Sequence, residues 1–165
     1  IGTTGSGKST LLQIIAGLQI PSEGLVHRQV EEKLLYRRIS FCSPALGLYE
    51  DFTLKEHIQF YSELKPLSVS LEECLELIQL DKHKDKQIKH FSSGMKQRVK
   101  LGLAIYAHTD VLFLDEPCSH LDKKSEEWYA NALGKCNAER TIIVASNDHD
   151  SELLHTTERW NFNLI

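Results

Sequence analysis

Residues 2–10 read GTTGSGKST, and the pattern G-x-x-x-x-G-K-[ST] fixes Gly2, Gly7, Lys8 and Ser9. This is a complete phosphate-binding loop. Glycines let backbone N–H groups converge on phosphate oxygens where a Cβ would intrude. Lys8 then reaches the β- and γ-phosphates as a point charge, and the Ser9 hydroxyl is placed to hold Mg²⁺. The next stretch, TLLQIIAG at residues 10–17, has helix-forming composition, with apolar Leu11, Leu12, Ile14 and Ile15 before a glycine stop. A helix there aims its positive dipole end at the phosphates, where the chemistry requires it, which argues against a chance Gly/Ser turn. The nucleotide-contacting set is therefore Gly2, Thr3, Thr4, Gly5, Ser6, Gly7, Lys8, Ser9 and Thr10.

Outward from the loop, 165 residues support one domain with a real core, and 41% hydrophobic with 25% charged residues is ordinary for a globular chain. The net charge is −4 and no long Lys/Arg run occurs, which disfavours capture of nucleic acid. The longest apolar stretches are about six residues, against the ~20 needed to cross a bilayer, so membrane association must go through a partner. Cys42, Cys74, Cys118 and Cys136 lack C-x-x-C spacing and read as reduced thiols in the cytoplasm rather than a zinc site or disulfide scaffold.

Two kinds of sequence alternate along the chain. Residues 24–30 and 38–41 have strand character and are separated by a polar Glu-Glu-Lys. From about 51 to 107 the pattern turns helical: Leu54, Ile58 and Tyr61 share a face, as do Leu71, Leu75 and Ile78, and Val99, Leu103 and Tyr106. The runs VLFL at 111–114 and IIVA at 142–145 are apolar throughout, as strands buried on both faces should be. Strands separated by helices predict an α/β fold with a mostly parallel sheet and right-handed crossovers. The helical block, about 49–107, is an inserted subdomain, and residues 1–48 with 108–165 form the core. The first strand-like run of the core's second part ends in Asp115-Glu116-Pro117. Two carboxylates at the carboxyl end of a parallel strand lie where such sheets bind ligands. Asp115 is the candidate for Mg²⁺, with Ser9, and Glu116 the candidate to orient or deprotonate an attacking water.

Residues 91–98, FSSGMKQR, begin 24 residues before Asp115 and resemble the signature segment of the ABC ATPase family, usually L-S-G-G-Q. Ser119-His120-Leu121-Asp122 resembles that family's D-loop, and residues 141–148 resemble its T-V-I-Y-V-T-H-D. The resemblance runs from Gly2 to about Asp148. It implies a RecA-like P-loop NTPase fold with ATP and Mg²⁺ as ligands, and a head-to-tail dimer of this chain or of this chain with a second ABC ATPase. Ser92, Ser93 and Gly94 would then close over the partner subunit's nucleotide, with Asn147 at the position of the switch histidine as a catalytic candidate beside Glu116. A Ser at a helix start, followed by Gly, also suits plain capping. The implied role is the ATP-hydrolysing subunit of a transporter, peripheral on the inner face of the membrane and driving a separate ABC permease, without nucleic acid. The alternatives are a nucleotide-gated dimerisation module with weak hydrolysis and a non-transporter ABC ATPase.

Three departures from the family pattern bear on turnover. Pro44 stands where a glutamine normally touches Mg²⁺, Asn147 carries no charge where the family has histidine, and Ser93 replaces a signature glycine. His149 stands in for the switch histidine only if its loop shifts. The P-loop needs a strand feeding it, and only Ile1 precedes Gly2, so an N-terminal β-region with the family's adenine-stacking aromatic is expected to lie outside these residues. Residues 160–165 read as one more strand.

Overall fold

The computed structural model describes residues 1–28, 31–136 and 139–162. A three-stranded parallel sheet forms its centre, in the order β1 (Ile39–Cys42), β2 (Val111–Asp115), β3 (Thr141–Ala145). Ile39 lies opposite Val111, and Val111 opposite Thr141. Past β3 the chain's first residues continue the layer: Gly2 N–H donates to Ser146 O at 3.3 Å, and Phe162 N–H donates to Ile1 O at 2.7 Å. The P-loop thus enters beside the carboxyl end of β3.

Alternation along β2 explains the two packed faces. Leu112 and Leu114 point into a large core shared with α5 (Ser93–Tyr106) and α6 (Lys123–Gly134), where Val99, Leu103 and Tyr129 are buried. Phe113 points the other way, into a smaller cluster with Leu12 and Ala16 at α1 (Lys8–Ile15) and with Ile39 and Ala145. An apolar run with helices on both sides is what a strand buried on both faces requires.

The helical block runs from α3 (Leu54–Leu64) through α4 (Leu71–Leu77) and short 3₁₀ turns to α5. Both α3 and α4 begin with a capping box, Thr53 with Glu56 and Ser70 with Glu73, which satisfies two orphan donors at each start. Leu54, Ile58, Leu75, Ile78, Val99 and Leu103 are all buried, so the three helical faces read from the sequence meet one another.

Three local expectations fail. Residues 24–28 form no strand; Arg28 instead turns its guanidinium onto the carbonyls of Ile14 and Ile15 at 2.6 and 3.3 Å, closing the end of α1. Residues 29 and 30 of that segment lie outside the described residues. The Glu-Glu-Lys taken as a separator opens helix α2 (Glu32–Arg38), whose last turn carries Arg37 and Arg38, the charge pattern that complements a helix dipole. The expected final strand is not regular over 160–162, and 163–165 lie outside the described residues. All four cysteines are free thiols. Among the described residues no helix is long and apolar enough to cross a membrane.

Candidate functional site

The P-loop wraps around Lys8. Gly5 and Gly7 adopt φ of 83° and 90°, left-handed values that favour glycine, and Gly7 ends the loop as the N-cap of α1 without a side-chain cap. The first N–H groups of α1 therefore have no intrahelical acceptor and face the loop. Gly2 serves close approach: a Cβ there would overlap the Phe162 carbonyl oxygen and lie 2.9 Å from Ser6 Oγ. Ser6 Oγ is buried with no hydrogen-bond partner among the described residues, an orphan hydroxyl within the loop. Thr3, Thr4 and Thr10 are exposed along the loop and first turn.

Lys8 is buried, and its Nζ donates to Thr3 O at 2.8 Å and to Asn147 Oδ1 at 2.7 Å. These bonds use two of the three ammonium protons. Asn147 Nδ2 donates in turn to Glu116 Oε1 at 2.7 Å. One amide therefore spans the loop lysine and the second carboxylate of the β2 terminus. Beside this chain, Ser9 Oγ donates to Asp115 Oδ1 at 2.9 Å. Burial pushes the Asp115 carboxyl above its usual range; the Ser9 bond opposes this, Glu116 adds to it and Lys8 opposes it. Glu116 sits at φ 43°, an uncommon conformation for a non-glycine residue, and its N–H is held by Ala145 O at 2.9 Å.

A hydroxyl and a carboxylate in contact, next to convergent N–H donors, form an all-oxygen donor set suited to a hard cation such as Mg²⁺. The orphan Ser6 hydroxyl and the open helix start suit an anion. The residues fit both halves of a metal–triphosphate.

The signature-like residues lie elsewhere. Ser92 caps α5, accepting from Met95 N–H at 3.2 Å, and Ser92 and Ser93 are exposed. Gly94 lies against segment 119–122: a Cβ on it would come 3.2 Å from His120 O. No hydrogen bond among the described residues joins the side chains of Ser92 or Ser93 to the P-loop of the same chain. His149 faces α6, 3.6 Å from Glu126 Oε1, so Asn147 is the residue of that loop that meets Lys8. Pro44 offers only its carbonyl, which together with Ser43 O accepts from Lys100 Nζ, at 2.9 and 3.2 Å.

The ABC transporter family model matches residues 1–119. This chain belongs to the ABC transporter family. The sulfate/thiosulfate import ATP-binding protein CysA of Synechococcus elongatus is 34% identical to this ABC domain over 161 residues, which cover 92% of the chain and 47% of CysA. ATP-binding cassette sub-family A member 17 of Rattus norvegicus is 30% identical over 160 residues, 91% of the chain and 9% of that protein. The ABC domain thus spans about half of one relative and under a tenth of the other. The dimeric structure of a bacterial ABC transporter cassette matches it with a TM-score of 0.77 at 26% identity, over 92% of this chain and 74% of that one. A putative ABC transporter ATP-binding protein from Pyrococcus furiosus matches with a TM-score of 0.80, covering 98% of this chain and 81% of that one. At 20% identity it attests the P-loop NTPase fold alone.

Two groups of this ABC domain were not legible as site residues. Gln97 on α5 is buried and donates from Nε2 to Pro117 O at 3.0 Å, just after Glu116. Glu152 on α7 (Asp150–Leu153) is buried and accepts from Cys118 N–H at 2.9 Å. Glu152 lies among other acids, Asp148 and Asp150, so nothing in the sequence marks it as the one that turns inward.

Proposed function

We propose that this domain binds ATP with Mg²⁺, hydrolyses it, and powers transport through a membrane permease. The observation that carries this reading is the hydrogen-bonded chain Lys8–Asn147–Glu116 beside the Ser9–Asp115 pair. Ser9 and Asp115 would hold Mg²⁺, which, when bound, neutralises charge on the β- and γ-phosphate oxygens. The N–H groups of residues 5–10 and the Ser6 hydroxyl cradle the phosphates, and Lys8 directs its remaining proton to them. Glu116 accepts the proton of the attacking water, and Asn147 holds the accepting carboxylate in place.

The exposure of Ser92 and Ser93 at the start of α5, with Gly94 against segment 119–122, supports action of Ser92, Ser93 and Gly94 in trans, in a head-to-tail dimer. The dimeric cassette among the structural relatives supports the same arrangement. On this reading residues 1–48 and 108–165 are the catalytic core, 49–107 is the helical subdomain, and the domain works at the inner face of a membrane on a permease.

Steady-state ATPase activity with Mg²⁺, measured beside Glu116→Gln, tests this. The variant is expected to bind ATP as well as the unmutated chain and to turn over about 10²-fold more slowly or less. If the unmutated chain binds ATP yet is no faster than the variant, hydrolysis is lost from the reading. A nucleotide-gated module then stands in its place, a role favoured by the uncharged side chain of Asn147 and by Pro44 contributing no side-chain amide.

A further inference from the structure

Among the described residues two carboxylates are buried, Asp115 and Glu152, and only Asp115 belongs to the nucleotide site. Burying a carboxylate is unfavourable unless hydrogen bonds compensate it, so a short helix would ordinarily carry an apolar residue at this place. Burial raises the Glu152 pKa, and bonds from the Ser146 hydroxyl and the Cys118 N–H oppose that rise. The Cys118 bond is 2.9 Å long. Ser146, fully buried, also receives His149 N–H on its Oγ at 3.1 Å.

The positions of these residues are informative. Cys118 lies two residues after Glu116, and Ser146 immediately precedes Asn147. Glu152 lies five residues after Asn147 and its Oε1 accepts from Cys118 N–H, so it ties together the two loops whose tips meet in the 2.7 Å bond from Asn147 Nδ2 to Glu116 Oε1. The turn after Glu116 is also held by Gln97 on the Pro117 carbonyl. A left-handed φ of 43° at Glu116 persists only where the surroundings over-determine it, and these two holds do so.

We infer that Glu152 is a positioning residue, whose carboxylate holds the Cys118 N–H against the segment that follows Asn147 and so sets the contact between Glu116 and Asn147. This rests on the hydrolytic reading of those two groups. The contact itself can be followed without turnover, through the ¹⁵N–¹H side-chain amide resonance of Asn147 in the full chain. Glu152→Ala is expected to move that resonance toward its position in Glu116→Ala. Glu152→Gln keeps an acceptor oxygen for Cys118 N–H and is expected to leave the resonance close to that of the unmutated chain. A resonance unmoved in Glu152→Ala overturns the inference, as does an equal displacement in both variants. Should Glu152→Ala not fold, Glu152→Asp, which withdraws the carboxylate by one methylene, carries the same expectations.

In turnover, Glu152→Ala is expected to lower kcat about tenfold or more, to leave KM for ATP within about twofold, and to add nothing in a Glu116→Gln background. Equal losses in both backgrounds would show that Glu152 does not act through Glu116. A chain that binds ATP without hydrolysing it sinks the proposed function, while the resonance experiment still decides the role of Glu152.

Discussion

Asn147 joins Lys8 to Glu116 with a group that does not titrate, and this separates it chemically from the histidine the family carries there. Its carbonyl takes a lysine proton and its amide supplies a proton to the carboxylate, so both ends of the amide are used. Removing it should free Lys8 for phosphate while leaving Glu116 unsupported. Asn147→Ala is expected to leave ATP affinity unchanged or tighter and to lower kcat roughly 10²-fold, read by fluorescent-nucleotide titration beside steady-state turnover. Asn147→His should add a limb to the pH profile of kcat near the ordinary histidine pKa of about 6.5; superimposable profiles would count against direct contact of residue 147 with the reacting groups. The P-loop residues and the Asp115-Glu116 pair were legible in the sequence because fixed spacing and residue type specify them. Glu152 and Gln97 were not, since their importance lies in which way a side chain turns once distant segments meet.

At the scale of elements, α5 joins the signature-like segment to the rest of the site. Gln97 and Lys100, one turn apart, donate to the carbonyls of Pro117 and Pro44. Its packing against the end of α4 depends on Gly102, where a Cβ would overlap the Cγ2 of buried Ile78. Overpacking of this kind costs about 1–3 kcal/mol, against about 1 kcal/mol of helix propensity gained by alanine. Gly102→Ala should therefore lower the urea midpoint with an unchanged m-value. Thr53→Ala, which removes the cap of α3, should cost about 1 kcal/mol by the same measurement. The buried strands and the helical block were readable because their apolar pattern has a clear period. Residues 24–28 misled because a run that includes Leu25 and Val26 can also pass over a surface, and the bonds of Arg28 to α1 are long-range. The acidic start and Arg37-Arg38 end of α2 were a usable signal, hidden by its short length.

For the molecule as a whole, His57 is expected to contribute acid sensitivity. It is buried on α3 with Nδ1 unpartnered among the described residues, and burial holds its pKa below the usual 6.5. The unfolded chain takes up a proton near pH 6.5 while the folded chain resists, so this contribution to stability is full above 6.5 and lost as pH falls through the folded value. Asp115 and Glu152, raised by burial, act with the opposite sign: the folded state holds their protons more tightly, and stability is lost as pH rises through their folded values. His57→Leu should therefore flatten the fall in denaturation midpoint between about pH 6.5 and 5, measured against the unmutated chain. The sheet topology carries a kinetic consequence of its own. β1 and β2 are neighbours, yet the chain between Cys42 and Val111 passes through the entire helical block. Closing so long a loop in one step is entropically slow, whereas α3, α4 and α5 gather through short-range contacts and draw the two strand ends together. Pulse-labelling hydrogen exchange during refolding should find the amides of α5 protected before those of β1, so that the nucleotide site, assembled from both sides of that closure, is among the last parts of the chain to form.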